Sequence, residues 1–459
     1  MRSPAPQDLV EHALAASTSD DCVAIVQDAT AANLRWANNT LTTNGVGHLV
    51  HVTVVCFQGA GHASVSGSAS NATQVGELVA AADRAAADSE SAEDRAPLVS
   101  GEAAADWADP PAETGIEVFD AFARALGEEF SRAEDQRRVL YGFVSHEVVT
   151  TYVGSSTGLR LRHVQPTGHH ACTGKTADLG SSAWVGGATR DFRDVSAHTM
   201  ADTLATRLGW AERRVELPAG RYDTVLPPTS VADLMIEAYW SAGARVAHEG
   251  QSVYARPGGG TRIGERIARE GVRLFSDPAY PGLQAAPFVT AGASSNTSSV
   301  YDNGLPLAVT DWIADGVLAS LVQTRHTAET TGQPVTPEID NLVLSVAGAK
   351  GSETDLVRDV EDGLLLTSLW YIREVDPQTL LLTGLTRDGV YRVERGEITG
   401  AVNNFRFNES PVDLLRRFTG ASATVPSFSR EWGDEYFSRT ATPALRIPDF
   451  NMSSVSRAL

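Results

Sequence analysis

Turn-forming dipeptides dominate the second half of the chain and restrict its fold more than any other feature. Pro-Gly, Asn-Gly, Asp-Gly and Arg-Gly pairs recur between short apolar segments, at 257–258, 281–282, 303–304, 315–316, 388–389 and 395–396. Glycine in such pairs supplies the positive φ angles of tight turns, and the intervening segments suit strands better than helices. The pattern predicts a mostly β C-terminal domain of barrel-like or sandwich-like form.

The first half alternates between helical and strand patterns. Between its helices, the segment LRWANNTLTTNG predicts two strands around an Asn-Asn turn. With the β-rich second half, this mixture predicts an α+β fold whose N-terminal domain is mixed α/β. Apolar periodicity predicts the helices of the first half at 7–18, 73–87, 119–133 and 195–215.

The length of the chain predicts two domains, because 459 residues exceed one ordinary hydrophobic core. A Pro-Pro pair near the strand-like YDTVL places the boundary so that the domains are 1–217 and 218–459. Within the first domain, segment 88–114 is acidic, contains prolines and has few large apolar residues. It predicts a mobile surface loop.

Charge and cysteine content exclude several classes of protein. A formal net charge of −20 argues against a nucleic-acid surface. The cysteines Cys22, Cys56 and Cys172 cannot form a disulfide framework. The N-terminus has no signal-type apolar segment, and no run approaches the ~20 apolar residues of a membrane span. We therefore expect a cytoplasmic protein without nucleic-acid or membrane partners.

The clearest helical pattern opens the second domain. Its apolar residues predict a helix over 231–247 that buries one stripe, with Ser230 as N-cap. A shorter helix is predicted at 357–369. The apolar stripe consists of Val231, Leu234, Met235, Ala238, Tyr239 and Ala242.

Common catalytic motifs are missing from the sequence. It contains no Walker loop of the form GxxxxGK[ST] and no HExxH. His146-Glu147 and His248-Glu249 are not followed by the second histidine that a zinc site of this type needs. The residues alone indicate a two-domain protein and leave its function undetermined.

A histidine and cysteine cluster at 163–172 is the main metal-ligand candidate. In a strand, His170 and Cys172 would share one face and His169 would lie on the other, and His163 could add a third ligand. The alternative, which the pattern favours, is a polar strand pair around a turn at 166–168.

Several segments together resemble the TldD/PmbA family of zinc peptidases. They include LRWANNTLTTNG, TYVGSSTGLRLRH, the long block 275–329 with its Asp-Pro and Asp-Gly turns, and TATPALRIPDFNMS near the end. Each segment is weak evidence, but their order and spacing are similar to those of the family. The resemblance covers most of residues 7–453.

The resemblance implies a subunit without metal ligands. The family has two kinds of subunit, one of which carries zinc through an HExxxH on the first helix of the second domain and a cysteine near the C-terminus. At the matching positions this chain has Ile236, Glu237 and Ser241. It has no cysteine after Cys172, so the resemblance is to the TldE/PmbA type, with no catalytic residue and no cofactor in this chain.

The resemblance further implies a heterodimer with a zinc-bearing TldD-type partner. A β domain would line an enclosed chamber, and an unfolded or small peptide would lie extended against a strand edge. Glu237 would then have no metal-bound water to activate and could be a solvated or interface carboxylate. Two alternatives stay open: a ligand-binding or regulatory homodimer, and a metalloenzyme whose site lies at His163, His170 and Cys172.

Overall fold

The computed structural model describes residues 4–434 and 436–456. Short 3-10 helices lie at Ile116–Phe119 and Val300–Asp302. The helices are α1 (Pro6–Ala16), α2 (Ala72–Ala87), α3 (Asp120–Asp135), α4 (Ala197–Trp210), α5 (Pro228–Trp240), α6 (Ala244–His248), α7 (Arg325–Thr331), α8 (Glu353–Arg358) and α9 (Pro411–Arg417).

The strands of the first half are long and those of the second half are mostly short. In the first half they are β1 (Asp21–Ala37), β2 (Thr40–Gln58), β3 (Gly61–Ser68), β4 (Arg138–Ser155), β5 (Arg160–Thr176), β6 (Ser182–Thr189) and β7 (Arg214–Val215). In the second half they are β8 (Gly220–Leu226), β9 (Val272–Ser276), β10 (Thr310–Ala314), β11 (Val317–Leu318), β12 (Leu342–Val346), β13 (Asp362–Leu366), β14 (Leu369–Asp376), β15 (Leu381–Thr386), β16 (Val390–Glu394), β17 (Glu397–Val402), β18 (Phe405–Glu409), β19 (Gly420–Ala421), β20 (Val425–Ser427), β21 (Thr440–Thr442) and β22 (Leu445–Val455).

An antiparallel six-stranded sheet in the order β3-β2-β1-β4-β5-β6 forms the centre of the first half. Its β1–β2 turn is made by Asn38 and Asn39, whose φ angles are 50° and 56°. Two consecutive left-handed residues give the turn that matches the twist of a hairpin, and asparagine tolerates this conformation. The predicted Asn-Asn turn is confirmed.

The two faces of this sheet bury different cores. The even-numbered residues of β1, such as Ala24 and Trp36, face the four helices of the first half. The odd-numbered Val23 and Ile25 pack instead on Phe288, Val300 and Tyr301 of the second half. The two halves of the chain therefore share a hydrophobic core.

The second half contains two open sheets with α5 between them. A six-stranded sheet has the order β11-β10-β9-β12-β21-β20, and a ten-stranded sheet follows the path β14-β15-β18-β22-β8-β13-β16-β17-β7, with β19 paired to β22. Apolar side chains of α5 pack with Leu274 and Leu344 of the first sheet and with Leu364 and Phe405 of the second. The predicted α+β class is confirmed. The barrel-like form is wrong, since β14 and β7 end the path without pairing to each other in the described residues.

Helix α5 differs from its prediction in its start, its end and its burial. Pro227 caps a helix that begins at Pro228, so Ser230 lies buried in the first turn and is not the N-cap. The helix ends at Trp240, and the chain restarts at α6 after Gly243. Sheets on both sides bury α5 nearly all round, whereas periodicity predicted a single buried stripe.

The predicted helix at 357–369 is wrong. A capping box of Ser352 and Asp355 starts α8 earlier, at Glu353, and it ends at Arg358. The apolar run that follows is β13, which pairs parallel to β8 and antiparallel to β16. A short apolar run buried on both faces cannot be distinguished from a helix by its sequence pattern alone.

Segment 88–114 has little regular structure, and it contacts both halves of the chain. Trp107 packs its ring edge-on against Tyr152 at 5.6 Å. Asp94 accepts hydrogen bonds from Ser294 and Ser299, both at 2.6 Å. The mobility of this segment stays a prediction.

Within the described residues, the helices are all too short or too polar to cross a membrane.

Candidate functional site

Helix α5 carries the positions at which the resemblance placed a degenerate metal motif. Ile236 is fully buried in the apolar core between the two sheets. The Ser241 hydroxyl donates to the Glu237 carbonyl oxygen at 2.9 Å, at the C-terminal end of the helix. An isoleucine side chain has no lone pair to offer, and this serine already bonds to the backbone. Zinc needs three or four converging nitrogen, sulfur or oxygen ligands, which these positions cannot provide.

Glu237 lies partly buried on the side of α5 that faces other charged groups. Burial, together with the charges of Glu374 and Glu431, raises the pKa of its carboxyl to about 7, while Arg373 opposes this shift. The side chain is thus neither fully solvated nor in the apolar core. A carboxyl with such a pKa can exchange protons near neutral pH.

Asp233, one turn earlier on α5, is the carboxylate that the sequence interpretation missed. It is fully buried, and its Oδ1 accepts hydrogen bonds from Ser429 Oγ at 2.5 Å and the Glu431 N–H at 3.1 Å. Its Oδ2 has no partner among the described residues. Burial raises the pKa of Asp233 to about 8. The sequence did contain a signal for this carboxylate, since Asp233 interrupts the apolar run 231–236 of α5.

Glu431 joins α5 to the large sheet. Its carboxylate accepts hydrogen bonds from the N–H groups of Tyr371 at 2.8 Å and Ile372 at 3.0 Å, where β14 is irregular. Its own N–H donates to Asp233. Segment 429–431 therefore positions α5 against β14 through buried carboxylates.

An aromatic patch lies exposed beside Glu237. Trp240 and Trp432 are 5.2 Å apart, and Tyr436 is 6.4 Å from Trp240. Trp240 is 37% exposed and Tyr436 is 67% exposed. Exposed aromatic clusters are typical of surfaces that contact another protein.

A cavity of about 680 Å³ lies between the two halves of the chain. Its walls include β6, β20 and the start of α5. Strands β6 and β20 are each the last strand of their sheet. An edge strand leaves backbone groups available, so it can pair with an extended peptide.

The histidine and cysteine cluster does not converge. Strand β5 pairs with β4 without a register shift from Arg160 to Thr176, so the turn expected at 166–168 is wrong. Strict alternation puts His163 and His169 on one face of the sheet and His170 and Cys172 on the other. Cys172 is buried in the core under α3 and α4, and burial raises its thiol pKa to about 12.

His169 stacks on Phe428 of the second half at 5.7 Å, on the opposite face of β5 from Cys172. Across the described ranges, no three or more His, Cys, Asp or Glu side chains are grouped so that they could hold a metal ion. The alternative of a relocated metal site at His163, His170 and Cys172 therefore has no geometric support.

A protein-family model described as the PmbA/TldA metallopeptidase C-terminal domain matches residues 219–454. This match covers more than half of the chain. The chain belongs to the PmbA/TldD metallopeptidase family.

Solved structures of the PmbA/TldD type share this fold over their whole length. TldE from Thermococcus kodakarensis superposes with a TM-score of 0.74 at 15% identity, covering 97% of this chain and 99% of that one. A candidate modulator of a DNA gyrase from Thermotoga maritima gives 0.75 at 15% identity, covering 97% and 99%. A candidate modulator of DNA gyrase from Bacteroides thetaiotaomicron gives 0.75 at 14% identity, covering 98% of each chain. Among curated protein sequences, none matches this chain.

Proposed function

We propose that this PmbA/TldD-family chain is the non-catalytic, TldE-type subunit of a heterodimeric metallopeptidase. It completes the chamber and helps to hold an unfolded or small peptide, while a TldD-type partner carries the zinc and cleaves the peptide in proteolysis or peptide maturation. The observation that carries the proposal is the first position of the motif, where Ile236 is fully buried in apolar core. We expect the pair to act in the cytoplasm.

The interdomain cavity supports the peptide-holding role. Its 680 Å³ can take a few residues of extended chain, and the edge strands β6 and β20 line it. Main-chain pairing to such edges would hold peptides of varied sequence, because it uses only backbone groups. A folded protein does not fit a space of this size.

The aromatic patch of Trp240, Trp432 and Tyr436 supports the partner role. It lies beside Glu237, at the end of the helix that bears the degenerate motif. Aromatic side chains dominate the binding energy of many protein interfaces. A partner docked on this patch would bring its own zinc helix close to this chain.

The test is a tagged pull-down from the native cell, followed by metal analysis and a peptidase assay. We expect a TldD-type chain to co-elute at one to one, with zinc and activity following that chain. Glu237→Gln in this subunit should leave the activity of the complex unchanged, whereas the same change at the motif glutamate of the partner should abolish it.

Chelator-sensitive cleavage by this chain alone would contradict the proposal. A stable homodimer without a sister chain, zinc or activity would also reject it, and would favour a ligand-binding or regulatory role instead.

A further inference from the structure

Four arginines line the interdomain cavity of a chain whose net charge is −20, and three of them are partly buried. Arg190 follows β6, Arg207 lies on α4, and Arg439 precedes β21. In the described part of the chain, neither Arg190 nor Arg207 has a carboxylate within ion-pair distance, although the protein is rich in acids. Arg207 instead donates to the Trp184 carbonyl oxygen.

Arg190 and Arg439 meet at one end of this cavity. Arg190 Nη1 donates to Gln284 Oε1 at 2.6 Å, and Arg439 Nη1 donates to Thr167 Oγ1 at 3.2 Å. Burial lowers the pKa of the Arg439 guanidinium, Asp340 opposes this shift, and the charge of Arg190 lowers the pKa further. Arg439 contacts Thr167, which precedes the Gly168–Thr189 pair of β5 and β6, and Arg190 follows Thr189. The two cations therefore lie at the same end of the β5–β6 pair.

The acids of the cavity wall do not neutralise this end. Asp340, outside the cavity lining, forms a long ion pair of 3.8 Å with Arg439, with its own side chain 66% exposed, and its backbone carbonyl accepts from Arg439 Nε at 2.8 Å. Asp194 accepts from Thr189, and Asp191 pairs with Arg193 at 3.5 Å.

Glu353, the remaining acid of the wall, interacts with Arg207. Holding two like charges near each other in a partly buried site is unfavourable, and the exposed Asp340 pairs with only one of them, so an anion bound between them would stabilise the pair.

We propose that the Arg190–Arg439 end of the cavity binds a carboxylate of the peptide, either its C-terminus or an aspartate or glutamate side chain. The proposal rests on the proposed function and names the substrate class that it left open. A guanidinium presents a planar fork that matches a carboxylate, and the Thr167 hydroxyl and Gln284 amide lie beside the two forks. The edge strands hold the main chain, and this end selects acidic or C-terminal peptide segments.

The experiment measures peptide binding to the assembled complex by fluorescence anisotropy. Its partner subunit carries a glutamine at the motif glutamate, so that the peptide stays intact. One probe is a fluorescein-labelled hexapeptide of alternating alanine and serine with a free C-terminal carboxylate, and its matched control is the same peptide amidated. A second matched pair is amidated and carries one internal glutamate or glutamine.

We expect the carboxylate of at least one pair to strengthen binding about 10- to 100-fold, the range of a hydrogen-bonded charge pair. An effect of amidation identifies the C-terminus as the bound group, and an effect of glutamate identifies a side chain. Arg190→Gln should remove that preference while leaving the neutral peptide's affinity unchanged. The matched control is Arg256→Gln, since this side chain is 52% exposed, lies outside the cavity lining and should have no effect.

Equal affinity for the charged and neutral members of both pairs would overturn the carboxylate site and leave the proposed function standing. A preference that survives Arg190→Gln and Arg439→Gln in correctly folded complexes would overturn it as well. Failure of the complex to bind any of the four peptides would count against the proposed function itself.

Discussion

At the scale of single residues, Asp233 is the most unusual position in the described chain. Its side chain is fully buried, one oxygen accepts two hydrogen bonds, and the other has no partner. A buried carboxylate with an unsatisfied oxygen favours the protonated form. The carboxyl thus links the stability of the α5 core to pH.

The contribution of Asp233 to the free energy of unfolding should fall as pH rises from 5 to 8, and Asp233→Asn should remove this contribution. The folded-state pKa of Asp233 is about 8, above the ordinary 3.8, so the folded protein holds a proton that the unfolded chain releases. Stability from this group is complete below the unfolded pKa and is lost as pH rises through the folded pKa. Between pH 5 and pH 8 we expect the free energy of unfolding of the wild type to fall by on the order of 2–4 kcal/mol relative to that of the variant.

Urea unfolding at pH 5 and pH 8 checks this expectation. Asp413→Asn is the control, because Asp413 is 59% exposed. Glu237 and Glu338, whose pKa values are raised to about 7, contribute with the same sign. Burial lowers the pKa of several histidines, which contribute with the opposite sign, so the difference between wild type and variant carries the test; they are His62, His163, His169 and His170. Parallel pH dependences for wild type and Asp233→Asn would show that Asp233 does not carry the effect.

At the scale of elements, the β1–β2 hairpin and α5 show how local and tertiary information divide. The hairpin turn needs two left-handed residues, which Asn38 and Asn39 provide locally. Helix α5 also forms where its apolar residues predict a helix, but the sheets around it decide which side chains are buried. Ile236 therefore lies in the apolar core, whereas Glu237, the next residue in the sequence, lies among charged groups.

Asn39→Ala should destabilise the protein by about 2–3 kcal/mol. The Asn39 side chain donates to the Arg138 carbonyl at 2.9 Å and accepts from the Leu140 N–H at 2.7 Å, and alanine loses both bonds at a positive φ. Asn39→Gly separates the two causes, because glycine tolerates the conformation but also loses the bonds. Thermal and urea unfolding measure both variants, and an unchanged stability for Asn39→Ala would contradict this account.

Restoring a histidine on α5 should not restore a metal site. Ile236→His places an imidazole in the apolar core between the sheets, so we expect a loss of about 2–4 kcal/mol and less than stoichiometric zinc. Ile236→Val, which keeps an apolar side chain, should cost only about 0.5–1.5 kcal/mol. The measurement is metal analysis of the variant after dialysis against zinc. Tight zinc binding by a well-folded Ile236→His protein would contradict the expectation that the metal site is not restored.

At the scale of the whole molecule, a core shared between the two halves couples them. Val23, Ile25 and Phe57 of the first sheet pack with Phe288 and Tyr301 of the second half.

Two further contacts connect the same regions. Asp94 accepts from Ser294 and Ser299, and Arg325 donates to the Pro97 carbonyl at 2.9 Å. Separating the halves would therefore expose apolar surface and break buried polar contacts.

Thermal unfolding should accordingly show one cooperative transition for both halves. Phe288→Ala, at the shared core, should lower that single transition by an amount equivalent to about 3–5 kcal/mol without splitting it. Differential scanning calorimetry, compared with circular dichroism, measures both proteins. Two well-separated transitions in the wild-type protein would contradict the coupling.

Local patterns were sufficient for much of the fold. The helices of the first half, the Asn38-Asn39 turn and the α+β class follow from periodicity and turn chemistry, which act between near neighbours. One error arose where an apolar run was buried on both sides, and others, the turn at 166–168 and the barrel-like form, arose where long-range strand pairing decided the structure. At 362–366 such a run is β13 and not a helix, because its pairing to β8 and β16 is decided by segments distant in sequence.

The sequence by itself determined which chemical groups the chain can offer: isoleucine and serine at 236 and 241, and no cysteine beyond Cys172. Only the tertiary structure decided where those groups lie. It separated His163 from His170 across a sheet, buried Asp233, and brought Arg190 and Arg439 to one end of a cavity. The physical reason is that burial and charge proximity depend on contacts between distant segments, which no local pattern encodes.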